Sequence, residues 1–206
     1  MTEKIFDLKM ARKRDHKILI TDEAIKKVPF IAYREISEKE YPVLQELARD
    51  VLRISKEQNH SNEVAITYSL ESEKLLAKNK AYMGVALGDE HSVNPEDDAV
   101  AYHLIHTSLD CVIISLHNHP SLSKISLSDV RFFLQHDSIK MMIVVTNLGN
   151  ISYIVKQKNY NRYTGTELYN KAVDLHCQAN SLKCYQDAAA YFLKNCYAAN
   201  IIYEDR

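Results

Sequence analysis

The chain has 206 residues, 26 Lys plus Arg against 27 Asp plus Glu, and a formal net charge of −1. That length suits one core of ordinary size with a smaller appendage. The charge balance speaks against strong phosphate-backbone binding or a basic membrane patch, and the basic triplet Arg12-Lys13-Arg14 is too small to change this. With only four glycines (Gly84, Gly88, Gly149, Gly165), no phosphate-cradling loop, dinucleotide fingerprint or G-x-S-x-G elbow can be written.

In chain order, the first thirty-odd residues are mixed and charged, with weak strand-like runs at "KILI" and "VPFIAY". The N-terminal "MTEKIFDLKMARKRDHK" has no apolar core of a secretory signal, and no stretch reaches membrane-spanning length, so a cytoplasmic protein is expected. The four cysteines are then expected as thiols. From about Pro42, Val43, Leu44, Leu47, Ala48, Val51 and Leu52 recur on one helical face, and Ser37-x-x-Glu40 reads as a capping box before it. "EVAITYSL" (63–70) alternates as a half-buried strand, and "KAYMGVAL" pairs with it across a long loop. Asn94, Pro95 and the acidic run after them start a helix over "NPEDDAVAYHLIHTS". "CVIISL" is a central strand. A helix over about Ser126–His136 follows the histidine-bearing loop, and "KMMIVVT" and "ISYIVKQ" form a hairpin through Asn147-Leu148-Gly149-Asn150. The segment after about Asn161 reads as two helices, without strand-like alternation. The fold class is therefore α/β, a mixed sheet flanked by helices. The chain divides into an N-terminal extension with an amphipathic helix (1–59), a core (60–158) and a C-terminal helical segment (159–206).

Chemistry concentrates in "CVIISLHNHPSLSKISLSDVRFFLQHD" (111–137). Residues i and i+2 of a strand share a side, so His117 and His119 aim at one point beyond the strand end. Asp129, in the first turn of the next helix, is a third candidate ligand, favoured there by the helix dipole. Two histidines, an aspartate and a water would fill a catalytic zinc site. Ser126-x-x-Asp129 also reads as a capping box. His176, Cys177, Cys184 and Cys196 lack C-x-x-C spacing and are expected as ordinary residues of an apolar helical region, the cysteines as buried thiols.

His117-Asn118-His119-Pro120-Ser121 followed by Ser126-x-x-Asp129 resembles the signature of the JAMM (MPN-plus) metalloproteases, in particular the bacterial RadC-like branch of this JAB-domain family. The resemblance covers about residues 60–158. It implies a layered core loosely like that of the cytidine deaminases, with Zn2+ held by His117, His119 and Asp129. It also implies that Glu63, opening "EVAITYSL", is the residue acting on the metal-bound water, with Ser126 stabilising the oxyanion. The implied activity is peptide or isopeptide hydrolysis of a peptide or protein substrate, including one with a ubiquitin-like tail. The interval from His119 to Asp129 is one residue shorter than the family's, and "SLSKI" lacks the glycine and prolines common in RadC proteins, so the position of Asp129 decides whether the ligand set closes. The rival readings are a catalytically silent JAMM-like scaffold and a RadC-like protein associated with DNA processing, the latter disfavoured by the neutral charge. A zinc nucleobase deaminase would need H-x-E and P-C-x-x-C, which do not occur. Neither the substrate's sequence nor the oligomeric state is legible.

Overall fold

The computed structural model describes residues 17–177 and 181–206. The basic triplet Arg12-Lys13-Arg14 and nearly all of the charged N-terminal stretch lie outside the described residues. Helices α1 (Asp22–Lys27) and α2 (Tyr41–Gln58) precede strand β1 (Val64–Ser69), the short helix α3 (Ser72–Leu76) and strand β2 (Met83–Leu87). Helix α4 (Ala99–Thr107), strand β3 (Ile113–His119), helix α5 (Leu127–Gln135) and strands β4 (Ile139–Thr146) and β5 (Ile151–Lys156) follow. Helices α6 (Arg162–His176) and α7 (Leu182–Asn195) and strand β6 (Ile201–Asp205) end the order.

The strands form one six-stranded sheet in the order β2-β1-β3-β4-β5-β6. Only β3 and β4 run parallel, joined by the α5 crossover; the other neighbouring pairs are antiparallel. This is the mixed α/β sheet expected, with helices on both faces. On one face, α2 lays Leu44, Leu47, Ala48, Val51 and Leu52 against Ile66, Tyr68, Ile114, Leu116 and Ile143. At roughly 1.5–3 kcal/mol for each large apolar side chain removed from water, this stripe alone fixes the helix to the sheet. On the other face, α5 and α7 bring Val130, Phe133, Ala188, Ala189 and Phe192 onto Ile113, Met142, Val144 and Ile154.

Several expectations are corrected. "KILI" and "VPFIAY" form no strand. Between them Thr21 caps α1, its hydroxyl accepting from the Ala24 amide at 3.1 Å. Ser37 makes no side-chain cap bond. Glu40 is instead buried, accepting a hydrogen bond from the Tyr68 hydroxyl at 3.0 Å. Val43 faces partly outward. β1 is buried on both sides rather than one, because Ala65, Thr67 and Ser69 are covered as fully as Val64, Ile66 and Tyr68. The expected helix from Asn94 comes in two pieces. Asn94 caps a 3-10 turn over Pro95–Asp97, and Asp98 then caps α4 by accepting from the Ala101 amide. β3 runs through both histidines, so they belong to the strand and not to a loop. The C-terminal segment packs on the sheet and adds β6 to the edge of β5, a strand the sequence reading missed. Of the four cysteines, only Cys196 is buried; Cys111, Cys177 and Cys184 are half-buried.

The hairpin through Asn147–Asn150 is as expected. Gly149 sits there at φ +88°, and a side chain would collide with the Ala24 carbonyl, 2.4 Å from where a Cβ would stand. No helix among the described residues is long and apolar enough to cross a membrane.

Candidate metal centre

β3 pairs antiparallel with β1 on one side and parallel with β4 on the other. Its carboxyl end, where the sheet changes direction, is the position at which open α/β sheets gather ligands. Strand alternation turns Ser115, His117 and His119 to the α5 side and Leu116 and Asn118 to the α2 side.

On the α5 side, His117 Nε2 lies 3.0 Å from His119 Nε2. Asp129 closes the triangle, with Oδ1 3.3 Å from His117 Nε2 and Oδ2 3.5 Å from His119 Nε2. Two ligands of a tetrahedral zinc ion with bonds of about 2.05 Å stand roughly 3.3 Å apart, and the three contacts lie near that spacing, the two imidazoles meeting different oxygens of the carboxylate. Both histidines are 5% exposed and the aspartate is largely buried. The shorter interval before α5 therefore does not carry Asp129 away from the imidazoles.

The serine-rich loop orients His119. Its Nδ1 is 2.9 Å from the Ser123 carbonyl oxygen, which accepts only if Nδ1 carries the proton. Nε2 is then the nitrogen turned toward Asp129 and His117, the orientation that metal-bound histidines receive from an outer hydrogen bond. Ser121 holds this turn, its hydroxyl accepting from the Ser123 amide at 3.1 Å.

Asp129 serves two purposes. Its Oδ2 accepts from the Ser126 amide at 2.7 Å, and the Ser126 hydroxyl accepts from the Asp129 amide at 3.1 Å, a complete capping box. Burial disfavours the Asp129 anion. The positive charge available to His117, its hydrogen bond, His119 and the Ser126 amide outweigh that penalty and hold the carboxyl well below the usual carboxylate range.

Glu63 immediately precedes β1. Its amide donates to the Asp89 carbonyl and its carbonyl accepts from Gly88 and from the Asn59 side chain. Ala65 is paired with His117 on the α5 side, and strand alternation puts Glu63, two residues earlier, on that same side. It is 7% exposed, a buried carboxylate rather than a solvated strand end. One rung inward, the cross-strand partners Thr67 and Ser115 bury hydroxyls that have no hydrogen-bond partner among the described residues. The α5 side of this sheet region is thus a polar row.

Asn118 was legible in the sequence only as the residue between two histidines. On the α2 side its Oδ1 accepts from the Val64 amide at 2.8 Å. Its Nδ2 lies 2.8 Å from Asn147 Oδ1 and also reaches Ser55 Oγ and the Asn62 carbonyl. Asn147 in turn donates to the Ile18 and Ser61 carbonyls. Asn118 therefore ties together the end of α2, the start of β1 beside Glu63 and the β4–β5 turn. An alternation that placed two imidazoles on one side already marked the residue between them as facing the other.

No family model, curated protein or solved structure matches the chain.

Proposed function

We propose that the chain is a zinc-dependent peptide or isopeptide hydrolase of JAMM type, as the signature in residues 117–129 suggests. The observation that carries this reading is the buried triangle of two Nε2 atoms and a carboxylate with edges of 3.0, 3.3 and 3.5 Å. His117, His119 and Asp129 would hold a divalent ion, which would supply Lewis-acid chemistry and a water acidified toward neutrality. Histidine and carboxylate also suit manganese or iron, so the preference for zinc leans on the resemblance. Glu63, on the same side of the sheet, would hold and move the proton, as base toward an attacking water and as acid toward the leaving amine. The Ser126 oxygen is engaged by the Asp129 amide, yet its own proton remains to be donated to a developing oxyanion. The substrate class is a peptide or protein amide, a ubiquitin-like tail being one form of it, and the proposed compartment is the cytoplasm.

The rival is a catalytically silent scaffold, and one observation favours it: the capping box accounts for Ser126 and Asp129 with no ion. Equilibrium dialysis against zinc, followed by hydrolysis of a panel of isopeptide-linked and linear fluorogenic peptides, separates the two. The hydrolase reading expects about one ion at the triangle and chelator-sensitive turnover, both lost in His117→Ala/His119→Ala. Zinc uptake unchanged by that double substitution would refute it.

A further inference from the structure

The opposite end of α5 carries another convergence of ligand atoms. Glu96 sits in the 3-10 turn that leads into α4, His106 in the last turn of α4, and His136 at the C-cap of α5. Glu96 Oε1 is 2.6 Å from His106 Nε2 and 3.5 Å from His136 Nε2, and one ligand atom from each residue lies within 4.8 Å of the others.

Three features set this group apart from an incidental surface ion pair. His136 Nδ1 is 2.9 Å from the Phe132 carbonyl, to which it donates, and this turns Nε2 toward Glu96. The elements bearing the ligands are braced. The Ser138 hydroxyl donates to the Ile105 carbonyl in the last turn of α4 at 2.6 Å, and Lys156 Nζ donates to the His136 carbonyl at 2.7 Å. Finally, the carboxyl ends of two helices meet here, and their dipoles favour a cation at that place. The rings of Tyr102 and Phe132, each 4.4 Å from its histidine, form an apolar wall around the group.

We propose that Glu96, His106 and His136 form a second transition-metal site, with solvent completing the coordination, whose ion clasps the end of α4 to the end of α5. The donor set, two imidazoles and a carboxylate, suits zinc and its borderline-soft neighbours rather than calcium or magnesium. The 2.6 Å contact between Glu96 and His106 is a hydrogen bond and must open to roughly 3.3 Å around an ion. Side chains that are 28% and 41% exposed have room to turn that far. The nine residues of α5 put about 13 Å between its two ends, so neither ion would share ligands with the other. The site does not depend on the proposed hydrolase activity, and its ion has a structural role.

The test uses the full chain and zinc alone. Wild type should take up two ions in equilibrium dialysis, and His117→Ala/His119→Ala should keep one and still gain thermal stability on zinc addition. Adding His106→Ala or Glu96→Gln to that background should weaken the remaining ion about tenfold or more and remove the thermal gain. If the double variant does not fold, His106→Ala alone should lower the wild-type count by one. A wild-type count of none, a single ion that is lost in His117→Ala/His119→Ala, or an uptake that His106→Ala and Glu96→Gln leave unchanged, overturns the proposal.

Discussion

Asp129 is where capping and coordination can be told apart, because one carboxylate forms the cap and is the proposed ligand. Asp129→Asn keeps an oxygen to accept from the Ser126 amide, so the cap survives. The anionic ligand is replaced by a neutral amide. Loss of an outer-shell partner alone weakens metal sites about 10–100-fold, so losing a direct ligand should reach at least the upper end, about 2.7 kcal/mol in zinc affinity. Ser126→Ala does the reverse. It removes the acceptor for the Asp129 amide, worth about 1 kcal/mol of stability. For a chain of this length that is a fall of roughly 2–3 °C in Tm. Both imidazoles and the carboxylate remain, so zinc affinity should change by no more than a few-fold. Competitive titration with a chromophoric zinc chelator reads the affinity, and calorimetric melting of the metal-free variants reads the stability. If Asp129→Asn binds zinc within about threefold of wild type, the carboxylate is a helix cap and nothing more, and the coordination argument fails.

Other substitutions address other parts of the structure. Glu63→Gln should keep zinc and fold while lowering amide hydrolysis by roughly two or more orders of magnitude, the scale of a lost general base; a variant as active as wild type would remove Glu63 from the mechanism. Asn118→Ala leaves the buried Val64 amide and the Asn147 Oδ1 without the partner that Asn118 supplies, and at about 1–3 kcal/mol each this should lower stability by roughly 3 kcal/mol in urea unfolding. A loss below about 1 kcal/mol would contradict the bridging role. Lys156 is fully buried, and burial pulls its pKa down to about 8. The unfolded chain then holds more protons between pH 8 and the ordinary lysine range, so the Lys156 contribution to stability rises with pH across that window. The stability difference, wild type minus Lys156→Met, should therefore increase by about 2–3 kcal/mol from pH 7 to pH 10; a flat difference would show the ammonium to be better solvated than its burial implies.

Where a pattern was long or the motif dense, the sequence was readable. α2, the β4–β5 hairpin and α5 follow from periodicity and turn residues, and the meeting of the three candidate ligands follows from two-residue strand spacing plus a capping box. The misses have local causes. α1 has six residues, too few to show a helical period. β6 follows a long alanine- and tyrosine-rich helical stretch, and Ile201 and Tyr203 are too brief an alternation to stand out against it. Burial of both faces of β1 depends on helices distant in sequence, since nothing in Ala65, Thr67 and Ser69 announces a covering layer. The Glu96, His106 and His136 group was invisible for the same reason, its members lying on three elements brought together only by packing.

Because Asn118 points one way and the flanking histidines the other, β3 cannot absorb a change in length. One residue inserted or removed between Ile113 and His119 would send the imidazoles toward α2 and push the amide toward Asp129, dismantling the inner brace and the outer ligand set together. From Pro120 to Ile125 the chain needs only to deliver a carbonyl to His119 and reach the Ser126 cap. A library of single-residue insertions and deletions should therefore divide sharply at His119: intolerant on the strand side, forgiving in the serine loop, then intolerant again from Ser126.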